Sequence, residues 1–519
     1  MESMQEFKEL EEYALAHTRF NAPSDSEDDF IEQYVKVLNK RGYYEGDYLF
    51  DEYMDYVYRA KQKVERFIKK CPENFAVMAM RQDLSRKYFQ YDDRDPDFVV
   101  YNSDVVLMVV LWSSLCGNKD CKEHAQFWFE HNPILQYLIP GMPSPRWMIS
   151  AETIRFFLKM IPDDEFSSMF RQYFGDIRIK TKELLDNIKA SIEDMDENPL
   201  SEYRHLIGGD GQELRSSYRR GESSRKKKGA HRVSLFDCDS RCVIDYTLVK
   251  QKNSETQAFM AMLDKCHIHN DDIFYADALN ARRELIEFLN SRNLDWIFTI
   301  KNNCGNKTTV EAISNFLNEN KDCGEHFHYE FSKKESSRIE TRYYDIVPVQ
   351  KLEGYQLSSI HPNTGTVIRV RKIVRAHLRD DKKNSVERKP SESVLYYISS
   401  LSYTEDNCRQ LVHSLKKRWL LETQHNILDT VLLQDNQHCC DDNHLASLVG
   451  LNSMVMNVTT FCRSKMSQRG FSNVVHRNAK TAARAPLITY KRVFSVFALH
   501  PLLAMQYLCE YFSTSPVEE

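Results

Sequence analysis

Three carboxylates are placed where they could act together on a phosphodiester. Asp210 ends one short apolar run and Asp277 ends a later one, while Glu422 lies on a helical stretch, on the same face as Arg418. Side chains at the ends of neighbouring strands converge at one edge of an α/β sheet, where such folds place their ligands. Converging carboxylates repel one another, and oxygen donors favour a hard divalent ion such as Mg2+. Two such ions, about 3.5–4 Å apart, can activate a water or a 3′-hydroxyl and stabilise the leaving oxygen.

The spacing of these acids also allows simpler structural interpretations. An aspartate at the end of a strand more often caps a turn than binds a metal ion. A glutamate four residues after an arginine on a helix usually forms a surface salt bridge. Trp419, beside Arg418, could stack on an unpaired base, but a tryptophan on a helix more often belongs to the core.

The elements that must position the acids begin after Pro199. Five short apolar runs, "HLIGGDG", "HRVSLFD", "RCVIDYTLV", "IFYADA" and "DWIFTIK", predict strands, with helices over 254–266 and 281–290 between the later ones. Three hairpin-linked strands followed by crossovers predict a mixed α/β sheet with helices on its faces. The alternating, charged interval 302–393 predicts a mostly β insertion, and "NCRQLVHSLKKRWLLETQHNILDTVLL" predicts one long helical segment.

The part of the chain before the sheet has helical spacing of its apolar residues. In 101–198 the run Val105 to Leu115 is too short to cross a bilayer and predicts a buried helix, and Ser150 with Thr153 predicts a helix start. We therefore divide the chain into an acidic helical extension (1–100), a helical domain (101–198), an α/β domain (199–440) and a basic helical tail (441–519).

The composition excludes several classes of protein. The chain has 519 residues, 42% of them hydrophobic and 28% charged, which is typical of a multidomain globular protein and not of a disordered or fibrous one. The acidic N-terminus lacks the features of a signal peptide, and the thirteen cysteines have no regular spacing, so we expect reduced thiols in the cytoplasm. The spacing of His438, Cys439, Cys440 and His444 fits no common zinc pattern.

The net charge of −5 conceals two basic regions. One is the run from Arg219 to Arg232, which follows Asp210 closely, and the other is 443–509, which contains no aspartate or glutamate. Local basic patches on a mildly acidic chain indicate a polyanion bound at defined places, and a solvated loop or tail is the alternative.

The segments around the acids resemble the bacterial insertion-sequence transposases of the H-repeat-associated group, within the DDE superfamily. "IGGDGQELRSS" resembles that family's first motif, with Gln212 in place of the usual lysine, and "IFYADALNAR" is similar to its second. "LYYISSL" and "RWLLETQHNILDTVLLQDN" resemble its glutamate block. Leu415 and Asp429 occupy positions where related transposases often have tyrosine and lysine.

This resemblance, which covers about 101–460, implies an α/β fold with an RNase-H-like mixed sheet, a β-rich insertion and helical regions before it. It implies that Asp210, Asp277 and Glu422 are catalytic and hold two Mg2+ ions, for which Mn2+ may substitute. The expected reaction is cleavage and strand transfer at the ends of an insertion sequence. The alternatives are an inactive or co-opted DNA-binding relative and a nuclease of the same fold.

The resemblance and the basic regions together give the expected partners. Double-stranded DNA, as element ends and target, would be bound by a homodimer in the bacterial cytoplasm, associated with the nucleoid, and neither a membrane nor a nucleotide cofactor is expected. The predicted DNA-binding residues are Arg215, Arg219, Arg220, Arg225, Lys226, Lys227, Lys228, Lys252, Lys301 and Arg418.

Overall fold

The fold is that of a computed structural model. The structure describes residues 27–69, 99–139, 141–175, 177–190, 203–217, 229–249, 254–266, 268–301, 307–319, 325–335, 338–352, 362–379, 385–387, 390–436, 439, 441–469 and 487–514.

One half of the sheet has the strand order and directions of an RNase-H-like core. Its strands are β1 (Leu206–Glu213), β2 (His231–Asp237), β3 (Cys242–Val249), β4 (Ile273–Ala276) and β5 (Asp295–Ile300). Their order is β3-β2-β1-β4-β5, with β1, β2 and β3 antiparallel and β1, β4 and β5 parallel. The helices α8 (Glu255–Lys265) and α9 (Arg283–Ser291) make the two crossovers, so the predicted order of elements is confirmed.

The insertion extends this sheet without forming a separate layer. It comprises α10 (Lys307–Glu319), β6 (Phe327–Glu335), β7 (Arg338–Pro348), β8 (Thr366–Arg379) and β9 (Ser385–Glu387). The following strand, β10 (Ser391–Ser399), pairs antiparallel with both β5 and β8, and this pairing joins the two halves. The predicted β character of this interval is confirmed, although α10 opens it, which the alternating pattern did not predict.

Strands β1 and β2 are buried on both faces, because apolar clusters that include helical residues cover each face. Ile207 and Val233 point into one apolar cluster, and Leu206 and Phe236 point into the other. Strand β2 is buried along its whole length, as expected for a strand covered on both sides.

The helices before the sheet are α1 (Glu27–Lys40), α2 (Tyr48–Ile68), α3 (Ser103–Leu115), α4 (Cys121–Leu138), α5 (Ala151–Met160), α6 (Asp163–Phe170) and α7 (Arg178–Ala190). As predicted, α3 is buried on nearly all sides. The Ser150 side chain accepts a hydrogen bond from Thr153 N at the start of α5, so that predicted helix start is also confirmed.

The helices after the sheet strands are α11 (Glu405–Lys417), α12 (Trp419–Thr430), α13 (Asp442–Gln468), α14 (Tyr490–Leu499) and α15 (Pro501–Thr514). The single helix predicted through Arg418 is therefore two helices that meet at that residue. The region 443–509, which contains no aspartate or glutamate, also stabilises the fold. Helix α13 packs between the earlier helices and β3, and Asn457 hydrogen-bonds the backbone of Val243 and Phe174. The described residues of the segment 441–519, which are 441–469 and 487–514, thus contribute to the core.

Among the described residues, α13 is long and apolar enough to cross a membrane, and the pair α14 and α15 would qualify together but for a bend of 120°. The apolar window of α13 is entirely buried within the protein, which accounts for its composition.

Candidate active site

Helix α12, which carries the third acid, lies along β1, which carries the first. Leu421 packs over Gly208, the ring nitrogen Nδ1 of His425 lies 3.9 Å from Asp210 Oδ2, and Asp429 accepts a hydrogen bond of 2.7 Å from Gln212. Four residues of a helix and two residues of a strand both advance by about 6 Å, so this match repeats along the two elements. A Cβ on Gly208 would overlap the Leu421 side chain, and glycine therefore permits the close approach.

Asp210 and Asp277 are neighbours at the edge of the sheet. Strands β1 and β4 pair up to Gly209 and Ala276, and each aspartate is the next residue. The prediction that Asp210 ends its strand is wrong, because β1 continues to Glu213 by pairing with β2 alone. Its carboxylate is oriented by the hydrogen bond from Gly211 N to Oδ1, 2.8 Å long.

The side chain of Glu422 is more exposed than that of Asp210. About half of its side chain is accessible (52%), and Arg418 Nη1 lies 3.9 Å from its Oε1. Among the described residues, the groups whose ligand atoms all lie within 4.8 Å of one another do not include these three acids. The carboxylate oxygens of the three acids are therefore spaced more widely than 4.8 Å. The structure thus brings all three to one region without closing them into a tight cluster.

Aromatic side chains surround Arg418. It donates a hydrogen bond of 3.4 Å to the Tyr275 hydroxyl and lies over the rings of Tyr275 and Trp419. Burial lowers its pKa, but Tyr397, Tyr275 and Glu422 outweigh burial and hold the pKa above its ordinary value. Trp419 itself is 47% exposed with Lys372 over its ring, so the interpretation of Trp419 as a core residue is wrong.

A buried polar network fixes Asp277 from behind. Asp277 Oδ1 accepts hydrogen bonds from Leu279 N (3.0 Å) and Asn280 Nδ2 (3.2 Å). Asn280 also donates to Glu255 Oε2 (2.8 Å), and His231 Nε2 lies 2.6 Å from Glu255 Oε1. The far end of this network lies under β1, because a Cβ on Gly211 would overlap Glu255 and His231.

Reasoning from the sequence missed four residues of this site: His231, Glu255, Asn280 and His425. Their types are common in cores and at turns, and nothing in their spacing indicates that they meet. The signal that could have found the network is Glu255. It is a carboxylate at the start of a predicted helix, three residues after Lys252.

His425 faces Asp210, but its surroundings disfavour the protonated form of its imidazole. Burial, together with the nearby charges of Arg232 and His231, lowers its pKa to about 4. The imidazole is therefore neutral at neutral pH, so the face of α12 toward Asp210 carries no positive charge from this residue.

Gln212, which replaces the lysine usual in the resembled family, is in contact with Asp429, which occupies a position where related transposases often have lysine. Gln212 and Asp429 form the 2.7 Å hydrogen bond along α12, and the backbone N–H of Arg215 donates to Asp435 (3.1 Å) one step further. Burial and the nearby Asp435 raise the pKa of Asp429. Leu415, in place of the usual tyrosine, is a buried core residue.

Apart from Arg418, which lies beside Glu422, the predicted DNA-binding residues fall into two groups. Lys301 is exposed just beyond β5, at the edge that carries Asp277, and Arg215 is exposed after β1. The following lie outside the described residues: Arg219, Arg220, Arg225, Lys226, Lys227, Lys228 and Lys252. In the basic C-terminal region, Arg463 stacks on Tyr490 and Arg469 pairs with Glu510, so part of that charge is structural.

Comparison with known proteins assigns the class of this site. Residues 203–458 match the family described as "Transposase DDE domain". This segment of the chain, which holds the sheet and all three acids, therefore belongs to the transposase DDE domain family.

Within that family the likeness is to the H-repeat-associated group, as the motifs implied. The chain is 25% identical over 263 residues to YbfL of Escherichia coli strain K12, and 29% identical over 152 residues to YbfD of the same strain, an H repeat-associated protein that bears the name of a transposase. These matches cover 50% and 29% of this chain, and they span 64% and 57% of the relatives' own lengths.

A piggyBac transposase, solved as a synaptic complex with hairpin DNA, aligns with 86% of this chain and 82% of its own. The identity is 9% and the TM-score is 0.35, so the fold rests on the strand topology described above and not on this alignment.

Proposed function

We propose that this protein is a DNA transposase that cleaves the ends of an insertion sequence and joins them to target DNA. The observation that supports this best is the placement of Asp210 and Asp277 at neighbouring positions of parallel strands, with Glu422 on the helix that crosses beside them. The acids lie within a transposase DDE domain, so their shared edge is the natural place for phosphodiester chemistry.

The donor set fits divalent magnesium. All three side chains offer carboxylate oxygens, which magnesium prefers, and the hydrogen bonds from Leu279 N and Asn280 Nδ2 both go to Oδ1 of Asp277. Asp210, Asp277 and Glu422 would hold the ions, with Mn2+ able to substitute. When bound, two such ions would activate a water or a 3′-hydroxyl and neutralise charge on the phosphate undergoing substitution.

The remaining residues of the site position these groups and the DNA. The hydrogen bonds from Asn280 restrict the rotation of the Asp277 carboxylate, and Glu255 restricts Asn280 in turn. Arg418, fixed by Tyr275, is placed to donate to a phosphate beside the scissile bond. Because rate enhancement in phosphoryl transfer comes mainly from positioning and charge stabilisation, such residues matter as much as the acids.

Phosphate contacts along the DNA are assigned to the exposed basic residues. Lys301 and Arg215 flank the acids on two sides. The predicted contacts from Arg219, Arg220, Arg225, Lys226, Lys227, Lys228 and Lys252 complete the surface in this proposal. Since two element ends must be joined in one event, the protein would act as a dimer assembled on DNA, with the bacterial nucleoid as its place of action.

The test is cleavage of a plasmid that carries the DNA flanking the gene, in Mg2+ and in Mn2+. Wild type is compared with Asp277→Asn at one salt concentration. Metal-dependent nicks at the element ends with wild type alone, followed by joined products, support the proposal. Nicks without joining would make the protein a nuclease, and binding without cleavage by wild type in either metal would make it a DNA-binding relative.

A further inference from the structure

A second group of metal-binding side chains lies in the insertion, away from the three acids. His326 and His328 are at the start of β6, and Asp345 is on β7, where it pairs in register with His328. Because side chains two residues apart on a strand share a face, both imidazoles point to the same side of the sheet. Their ligand atoms and a carboxylate oxygen of Asp345 all lie within 4.8 Å of one another.

The distances within this group suit one ion with three protein ligands. His326 Nε2 lies 3.2 Å and His328 Nδ1 lies 2.8 Å from the same oxygen, Asp345 Oδ1. Ligands at about 2.0–2.2 Å from a tetrahedral zinc ion are separated from one another by about 3.3–3.6 Å, so each histidine nitrogen would move away from Asp345 Oδ1 by less than about 1 Å. A single ion between these three atoms therefore requires little movement of the backbone.

The carboxylate is already oriented from its other side. Arg369 donates to Asp345 Oδ2 through Nε (3.0 Å) and Nη2 (2.9 Å), and its Nη1 donates to Asn318 (2.8 Å). Metal ligands in proteins are usually fixed by such outer hydrogen bonds.

The accessibility of the group leaves room for a further ligand. Asp345 and His326 are largely buried, with 7% and 11% of their side chains exposed, whereas His328 is 51% exposed. The ion would therefore sit at the surface of the sheet with an open position for water or a partner's ligand. Two imidazoles and one carboxylate select a transition metal such as Zn2+ over Mg2+, which prefers oxygen alone.

A second cluster, made of one histidine and two aspartates, differs in how its charge is compensated. His205, Asp237 and Asp239 also bring their ligand atoms within 4.8 Å, but the Lys417 ammonium pairs with Asp239 there. A cation of the protein thus already occupies that cluster. In the insertion the cation, Arg369, binds Asp345 Oδ2, whereas the two histidines contact the other oxygen, Oδ1.

We propose that His326, His328 and Asp345 form a zinc-binding site that fastens β6 to β7 in the insertion. The site is independent of the proposed catalytic ions, since it uses different elements and different donor atoms. Lys416 of α11 donates to the Tyr329 hydroxyl of β6 (3.1 Å), so the zinc would also steady the strand on which the helix leading to Glu422 rests.

The experiment titrates chelator-treated, full-length protein with Zn2+ by calorimetry and follows thermal unfolding with and without the metal. Wild type is compared with His326→Gln and His328→Gln, and the control is His269→Gln, an exposed histidine outside the group. His328→Gln leaves the Asp345–Arg369 pair in place, so this variant is the one expected to fold as wild type does.

The expected result is one zinc ion per chain for wild type, for His269→Gln and for Asp277→Asn. Both variants of the group should bind zinc at least about tenfold more weakly, and zinc should no longer raise their unfolding temperature. Equal zinc binding by wild type and both variants, or no zinc binding by wild type, would overturn the proposal. The retention of zinc by Asp277→Asn separates this result from any failure of the catalytic proposal.

Discussion

Two groups of acids lie at different points along β1, and they differ in burial and in how their charge is compensated. Near the first residue of the strand, Asp237 and Asp239 are buried and matched by His205, by the Lys417 ammonium and by the backbone N–H of Leu206. About 13 Å further along the same strand, Asp210, Asp277 and Glu422 are partly exposed, and the cation nearest to Glu422 in the described chain is Arg418, at 3.9 Å.

We interpret the difference as a separation between acids that stabilise the fold and acids that the proposed function assigns to metal ions. Lys417 and Arg418 are consecutive residues where α11 meets α12, yet the first neutralises a buried aspartate and the second lies beside an exposed glutamate. A buried carboxylate must be compensated within the protein, whereas carboxylates left spaced at a surface retain their affinity for metal ions. Composition alone does not distinguish these two groups.

The strongest test of this contrast removes one charge from each group. Asp277→Asn is expected to lower metal-dependent cleavage by at least about 100-fold with little change in stability, because a metal ligand is lost at an accessible edge. Asp239→Asn is expected to lower the urea midpoint while folded protein still cleaves. Plasmid cleavage and urea unfolding of both variants are measured, and a loss of activity in Asp239→Asn at full folding would contradict the contrast.

Lys417→Met should destabilise the fold strongly, because Lys417 is the cation that neutralises Asp239. The substitution leaves Asp239 as a buried charge without its cationic partner, and we expect a loss of about 3–5 kcal/mol in the free energy of unfolding. Urea unfolding measures this loss, and Lys265→Met, at the exposed end of α8, is the control. A cost equal to that of the control would mean that Asp239 is not compensated by Lys417.

The His205–Asp237 pair should give the stability a dependence on pH. Burial lowers the pKa of His205, but the hydrogen bond and charge of Asp237 outweigh it and raise the pKa above 6.5. A protonated His205 therefore contributes stability that is complete below 6.5 and is lost as the pH rises through the folded value. Urea unfolding at about pH 6 and about pH 9 should show this loss in wild type and a smaller one in His205→Gln. An equal loss in the two proteins would assign the slope to another group.

Gln212→Lys is expected to have the smallest effect of the four. The lysine would replace the hydrogen bond to Asp429 with an ion pair, lower the raised pKa of that carboxyl group and stabilise the fold by up to about 1 kcal/mol. Gln212→Met, which removes the hydrogen bond without adding a charge, should destabilise the protein instead. Urea midpoints compare both variants with wild type, and an equal loss in both would show that the site rejects a cation.

Much of the sheet could be predicted because strands and helices differ in the spacing of their apolar residues. The runs around Asp210 and Asp277 placed both acids correctly at one edge, and the pairing of β1 with β4 confirms that the acids are neighbours. The extension of β1 past Asp210 was missed because its last residues are polar and are fixed by pairing with β2, which is a tertiary contact.

Other features could not be predicted from the sequence for the same physical reason. The position of α13 between the earlier helices and β3, the exposure of Trp419 and the buried chain from His231 to Asp277 all depend on which distant surfaces meet. The zinc cluster follows no sequence spacing common to zinc sites, because two of its ligands alternate on one strand and the third comes from the neighbouring strand.

The contact of Gly208 with Leu421 has a consequence for how related sequences can vary. The missing side chain at the first position determines how closely the helix with the third acid can approach the sheet. Among relatives, a larger residue at position 208 should therefore occur together with a smaller one at position 421, and an alignment should reveal the two columns as a correlated pair. Two motifs far apart along the chain would then be inherited as a single unit, because the space they share accommodates only one of the two side chains.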